Sequence, residues 1–329
     1  MPKSSLENRE TLRAATGTFR PESSGNLPSR VRLIGFIGFA VLLAAAFGKP
    51  LVALFVHVAN SNLHSYILLV PFVWGYLVYI RRNQPRAEYS SSPGWAAAPL
   101  VMGLAALGAA ESITTLSRND CLTLIALSFV SLLTAGGFLV LGRTWMSDMV
   151  FPFSFLIFLL PMPDAMANAL ETASKLASTE AANLFFNMTN TPTLRDGTIF
   201  HLPNITIEVA QECSGIRSSW VLFITSLLAA NLFLKSPWRR VALVAAVIPL
   251  GIIRNGFRVW VIGTLCIRFG PQMLHSVIHR SGGPAFFVLS LIPLLLMLLW
   301  LHQGEIGKAT AVSAAGQTES TGQSKVNSE

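Results

Sequence analysis

Charge is what this sequence has least of. Asp, Glu, Lys and Arg make up 12% of its 329 residues, where a soluble domain carries about 25%. That excludes a large water-facing surface. Cysteine is also sparse: Cys121, Cys213 and Cys266 are the only three, and no C-x-x-C pair occurs. A disulfide framework and a structural zinc site both need more. The loop that carries His275 and His279 contains no carboxylate, and no H-E-x-x-H run is present. Those two histidines have the i, i+4 spacing of helical metal ligands, but without an acid beside them no metal or other cofactor is expected. The formal net charge of +8 would suit nucleic acid if it were clustered. Lys and Arg are instead scattered between apolar runs, so membrane topology accounts for them and no nucleic-acid partner is expected. No internal repeat and no second soluble domain is visible.

What fills the chain is apolar: 52% of the residues are hydrophobic. Eight runs compare with the ~20 residues that cross a hydrocarbon core. They cover about 31–48, 63–80, 94–110, 121–142, 146–162, 218–234, 241–267 and 284–301. The first is interrupted by Lys49-Pro50, and the fifth is the shortest in its apolar core and ends at Pro161-Met162-Pro163. The expected fold class is an all-α polytopic membrane protein with about eight transmembrane helices in a domain over 31–302. Polar tails over 1–30 and 303–329 are expected to be disordered and cytoplasmic. No cleavable signal peptide is apparent at the start. With the N-terminus inside, fifteen of the twenty-four Lys and Arg residues fall on the cytoplasmic side and six outside. The remaining three, Arg217, Arg254 and Arg258, lie within spans. This bias places both termini in the cytoplasm.

The longest external segment in this topology is 163–212. Residues 165–186 have the pattern of a short extracytoplasmic amphipathic helix lying on the membrane surface. Asp196-Gly197 is a turn signal, and 198–202 and 205–209 read as the strands of a β-hairpin delivering the chain to the sixth span.

That delivery point is Gln211-Glu212-Cys213-Ser214-Gly215-Ile216-Arg217-Ser218. Ionisable groups at the mouth of a membrane helix are costly and are functional candidates. Ser214 suits an N-cap. A helix N-terminus and Arg217 would both lower the Cys213 thiol pKa and favour the nucleophilic thiolate. The plainer reading, a small apolar residue inside a helix, fits Cys121 and Cys266. Arg254 and Arg258 share a helix face at i, i+4. Each must be paired or face a wet cavity. For Arg254 a salt bridge to Glu208, Glu212 or Asp148 competes with a catalytic role. Arg258 lies nearer the outer end and suits an oxyanion clamp. His279, external and near a thiol and an arginine, suits a general acid/base. His64 falls on the same side, while His57, His201 and His302 have weaker contexts. Two other classes stay open on these residues: a transporter holding an anion on Arg254, Arg258 and the outer histidines, and a non-catalytic component of a polysaccharide assembly complex.

An ordered set of motifs resembles the exosortase/archaeosortase family of integral-membrane transpeptidases. His64-Ser65 followed by Pro71 and Arg81-Arg82 is similar to an early S-H-x-x-L-x-P region. Phe151-Pro152 to Pro161-Met162-Pro163 is similar to an F-P-…-P-x-P segment. The most specific piece is Asp196-Gly197 leading into Glu212-Cys213-Ser214-Gly215-Ile216-Arg217-Ser218. Asn255-x-x-Arg258-Val259 resembles N-x-x-R, and His279-x-x-x-Gly283-x-x-x-Phe287 resembles H-x-x-x-G-x-x-x-F. The resemblance implies a catalytic Cys213, Arg258 and His279, with Glu212, Ser214, Arg217 and Asn255 supporting them. Arg254 and His275 lie off the motifs. It further implies membrane-tethered protein substrates with a C-terminal sorting signal of the Pro-Glu-Pro, helix and basic-cluster type. Cleavage through a thioester and transfer to an unidentified acceptor would follow, in a bacterial inner membrane with the active site on its extracytoplasmic face, and linked in many members to exopolysaccharide genes.

Overall fold

The computed structural model describes residues 29–61, 63–81, 93–203, 205–209, 216–270 and 286–305. In chain order the helices are α1 (Ser29–Ala46), α2 (Gly48–Ala59), a 3-10 turn at Ser65–Leu69, α3 (Val70–Arg81), α4 (Pro93–Ser112), α5 (Arg118–Val140), α6 (Arg143–Asp148), α7 (Val150–Phe155) and α8 (Asp164–Met188). Three strands follow, β1 (Leu194–Asp196), β2 (Ile199–Leu202) and β3 (Ile205–Glu208), then α9 (Ile216–Phe233), α10 (Pro237–Ala245), α11 (Val247–Phe269) and α12 (Phe286–Glu305). Among the described residues α4, α5, α9, the α10–α11 run and α12 are long and apolar enough to cross a membrane; two bent pairs raise the number from five to seven. Large apolar side chains point outward along these helices, with Val101 65% exposed and Trp300 70%. Lipid is the only solvent in which such a surface is favourable. The chain is a mostly helical, multi-pass membrane protein.

Two expected spans are broken, each for a reason in the sequence. The first apolar run bends by 72° between α1 and α2. Pro50 sits in the first turn of α2, where its missing N–H would have had no intrahelical acceptor. The fifth run, 146–162, is not one helix. It comprises α6, α7 and a 3-10 turn at Leu156–Leu159, and the segment Val150–Leu159 meets α8 at 88°. In a continuous helix the residue at 152 would donate to the Asp148 carbonyl, and Pro152 has no N–H to give. Arg81 Nη1 supplies that carbonyl instead at 2.6 Å. Among the described residues the candidate spans number five to seven, against the eight expected.

The described chain forms two compact units. One comprises residues up to Leu54 with Leu69–Leu116 and Cys121–Leu160. Its helices approach at glycines: a methyl on Gly103 would lie 2.9 Å from Leu132 Cγ, and one on Gly137 2.7 Å from Met146 Sδ. Phe153, from the Phe-Pro segment, sits among Phe36, Trp74 and Trp145 with ring centroids 6.1–6.3 Å away. Cys121 lies in this unit within α5, as a free thiol.

The other unit comprises Phe55–Leu68, Ser117–Asp120 and the chain from Pro161 onward. One core joins α9 to α12 through Leu222, Leu234, Leu243, Val247, Leu294 and Leu301. The helix ends there are closed reciprocally. The Glu305 carboxylate accepts from the backbone N–H groups of Lys235 and Ser236 ahead of α10, at 2.9 and 2.7 Å. Arg239 donates to the carbonyls of Leu301 and Gly304 at the end of α12, at 2.6 and 3.0 Å. Each charge thus meets the helix end of opposite partial charge. A second core holds Ala182, Phe186, Phe200, Leu202, Ile207, Val209 and Val259.

Candidate functional site

The stretch read as a hairpin is a three-stranded antiparallel sheet in the order β1-β2-β3. Asp196 pairs with Ile199 across a two-residue turn in which Gly197 has φ +58°. That left-handed conformation is open to glycine without a Cβ clash. β2 and β3 pair in the register Phe200↔Ile207 and Leu202↔Ile205. Side chains alternate across the sheet, so Phe200, Leu202 and Ile207 all enter the core beside Phe186 and Val259. Two ion pairs fasten the sheet to α8: Lys175 to Glu208 at 3.2 Å and Arg195 to Glu180 at 2.6 Å. β3 ends four residues before Glu212.

α8 presents Ser178, Ala182 and Phe186, four residues apart, as a buried stripe. The partner of that stripe is α11. A methyl on Gly256 would lie 2.5 Å from Ala181 Cβ and 2.9 Å from Ala182 N, and one on Gly263 2.7 Å from Phe186 Cζ. The contacts advance together along both helices, so α8 and α11 run parallel. Trp260 Nε1 adds a hydrogen bond to Thr189 Oγ1 at 3.1 Å. The helix expected over 165–186 is therefore present, with one face committed to another helix.

The opposite face of α11 meets α9. A methyl on Gly251 would lie 2.7 Å from Ser219 Oγ, and Arg254 Nη2 donates to the same hydroxyl at 3.1 Å. Near the other end, Ala230 and Leu234 share a core with Val247 at the start of α11, so α9 and α11 are antiparallel. Arg254 is buried at 7% exposure and Asn255 at 2%, while Arg258 is half-buried. Four residues is about 6 Å of helix rise. Arg258 therefore stands one turn beyond Arg254, toward and past the N-terminal end of α9. The first turn of α9 begins at Ile216, carries Arg217 with an exposed side chain, and follows Cys213 by three residues. Asn255 Nδ2 is buried with no hydrogen-bond partner among the described residues, an arrangement that favours a further acceptor nearby.

Of the residues singled out from sequence, Arg217, Arg254, Asn255 and Arg258 are thus in one region. Glu212, Cys213, Ser214, His275 and His279 lie outside the described residues. Glu208, one suggested partner of Arg254, is engaged by Lys175. One partner of Arg254 is a neutral hydroxyl, Ser219 Oγ, and Glu212, another suggested partner, lies outside the described residues. Cys266 is a buried free thiol, consistent with its reading as a small apolar side chain. His201 faces Thr206 Oγ1 at 3.1 Å and His302 the Phe233 carbonyl at 3.0 Å, both in exposed positions. His64 is buried, with Nδ1 3.1 Å from Ser61 Oγ. Sequence reasoning missed Ser219, Gly256 and Gly263. The seven-residue spacing of the two glycines, two helical turns, was the available signal. Among the described residues no group of three or more His, Cys, Asp or Glu could hold a metal ion.

A family model described as transmembrane exosortase (Exosortase_EpsH) matches residues 58–296. No curated protein and no solved structure matches the chain. The matched residues include all of α8, the sheet, α9 and α11.

Proposed function

Because the chain belongs to the transmembrane exosortase family, we propose that it is a membrane cysteine transpeptidase. It cleaves a C-terminal sorting signal from exported proteins tethered by their own membrane helix. The observation that carries this reading is the polar face of α11: Arg254 bonded to Ser219, buried Asn255, and Arg258 one turn further toward the end of α9 that follows Cys213 in the sequence.

In this reading the Cys213 thiolate attacks the scissile carbonyl, a C–S bond forms, and the carbonyl oxygen takes on negative charge. The Arg258 guanidinium stabilises that charge; such donors act most strongly where water is excluded. The C–N bond breaks, and His279 delivers a proton to the leaving amine. The product is a thioester on Cys213. An amine acceptor, or water, gives up a proton to His279, attacks the thioester and releases the thiolate. Arg217 and the α9 N-terminus favour the thiolate, and Glu212, Ser214 and Asn255 support the reacting groups. The membrane domain spans 31–302 between cytoplasmic tails. The site faces the extracytoplasmic side of a bacterial inner membrane, the signal is of the Pro-Glu-Pro type, and the pathway is linked to exopolysaccharide.

The test is a reporter bearing such a signal, co-expressed with the protein or its Cys213→Ala form and followed by size. Processing that disappears with Cys213→Ala supports the reading. Processing that survives it removes the covalent route.

A further inference from the structure

A second polar site lies away from α11. A cavity of about 360 Å³ opens where α2 ends and α5 begins, lined by Val56, His57, Asn60, Ser61 and Arg118. We propose that it holds the phosphate of an anionic phospholipid headgroup.

The lining of this cavity carries a cation, Arg118, and no carboxylate. The carboxylates nearest to Arg118 in sequence and in its network are engaged elsewhere. Asp120 Oδ1 accepts from the Asp164 backbone N–H at 2.9 Å, and Asp164 Oδ1 accepts from Asn119 Nδ2 at 2.8 Å. Among the described residues Arg118 forms no ion pair. His57 adds a ring donor from α2, its ring 6.4 Å from that of His64. Ser61 is held in place by His64, through contacts of 3.1 Å to Nδ1 and 3.4 Å to the backbone N. Donors thus converge from two helices and the turn between α2 and α3, the arrangement that suits a tetrahedral oxyanion.

The remaining wall decides the source of the phosphate. Val56 is 53% exposed, and Ala59, one turn further along α2, is exposed too. A free phosphate leaves that apolar wall bare. A phospholipid satisfies both halves, with its headgroup on Arg118 and His57 and its acyl chain against Val56. The site uses none of the residues assigned to catalysis, so it stands or falls independently of the proposed reaction.

The full chain in detergent would be titrated with phosphatidylglycerol, phosphatidylcholine or inorganic phosphate, and retained ligand read by native mass spectrometry. A photoreactive phosphatidylglycerol would map the contact. Phosphatidylglycerol is expected to bind preferentially and to cross-link within 55–61 or 117–120. Losing one charge-assisted contact should weaken it about tenfold in Arg118→Gln, while Arg118→Lys retains most of the binding. Unfolding temperatures of the variants check that the fold is intact. Equal binding by wild type and a folded Arg118→Gln, cross-links confined to other segments, or inorganic phosphate matching the lipid would each overturn the proposal.

Discussion

α11 has two faces that do opposite work. Toward α8 it offers Gly256, Val259 and Gly263, and the helices touch backbone to side chain with no charged group between them. Toward α9 it offers Gly251, Arg254 and, one turn on, Arg258, with a hydroxyl as the contact. The glycine face fixes where the helix stands to within a few tenths of an ångström. The arginine face then holds two guanidiniums that no apolar environment would accept without partners. Close packing on one side is what lets the other side keep costly polar groups in a defined place.

If that division is right, substitutions on the two faces should fail differently. The largest effect on turnover is expected from Arg258→Gln. Removing one oxyanion donor costs roughly 10²- to 10³-fold in kcat, and reporter processing should fall by that order while thermal unfolding in detergent stays near wild type. A large loss of stability instead would make Arg258 a packing residue.

Gly256→Ala should break the other face. Its methyl would meet Ala181 Cβ at 2.5 Å and backbone N of Ala182 at 2.9 Å, and neither can swing aside. Overpacking of this kind costs about 1–3 kcal/mol, so the unfolding temperature should drop. The matching control is Gly108→Ala, where an added methyl meets nothing within 4 Å and stability should hold. Equal behaviour of the two variants would mean that α8 and α11 are not closely packed.

Ser219→Ala sharpens the arginine face with a smaller effect. It removes the hydroxyl 3.1 Å from Arg254 Nη2, a loss of about 1.5 kcal/mol, the low end for a hydrogen bond to a charged group. Combined with Arg254→Met, the two losses should be less than additive; strict additivity would show that the bond contributes nothing.

How far the sequence reached follows from these same residues. α4, α5, α9, the α10–α11 run and α12 were legible because a continuous apolar run of membrane length has few other ways to satisfy its backbone. The Asp196-Gly197 turn was legible because a dipeptide encodes it. β1 was not: Leu194-Arg195-Asp196 alternates nothing, and it is a strand only because Phe200 and His201 stand opposite. The break in 146–162 turns on Pro152 and on an arginine 67 residues earlier, a pairing no local pattern records. In the site, the i, i+4 spacing put Arg254 and Arg258 on one face. That Ser219 is a partner of Arg254 came from which helix lies alongside, and apolar helices carry no periodic mark of their neighbours.

The smallest expected effect is a pH dependence away from α11. His64 lies in the turn ahead of the Ser65–Leu69 segment, 6% exposed. Burial pushes its pKa below the usual 6.5 and His57 pushes the same way, against the opposing pull of Asp164 and the Met162 carbonyl. The folded protein therefore binds this proton less readily than the unfolded chain. Stability from this group is fully present above pH 6.5 and declines as pH falls below it, because the unfolded state protonates first. The decline stops once the folded form protonates as well. One proton corresponds to a slope of at most ~1.4 kcal/mol per pH unit, and ordinary carboxylates titrate near 4 and do not enter this window. Unfolding temperatures at pH 7.5, 6.5 and 5.5 should therefore fall more steeply for wild type than for His64→Gln. Identical slopes would mean that the ring's pKa does not change on folding, the pull of Asp164 and the Met162 carbonyl offsetting its burial and the push of His57.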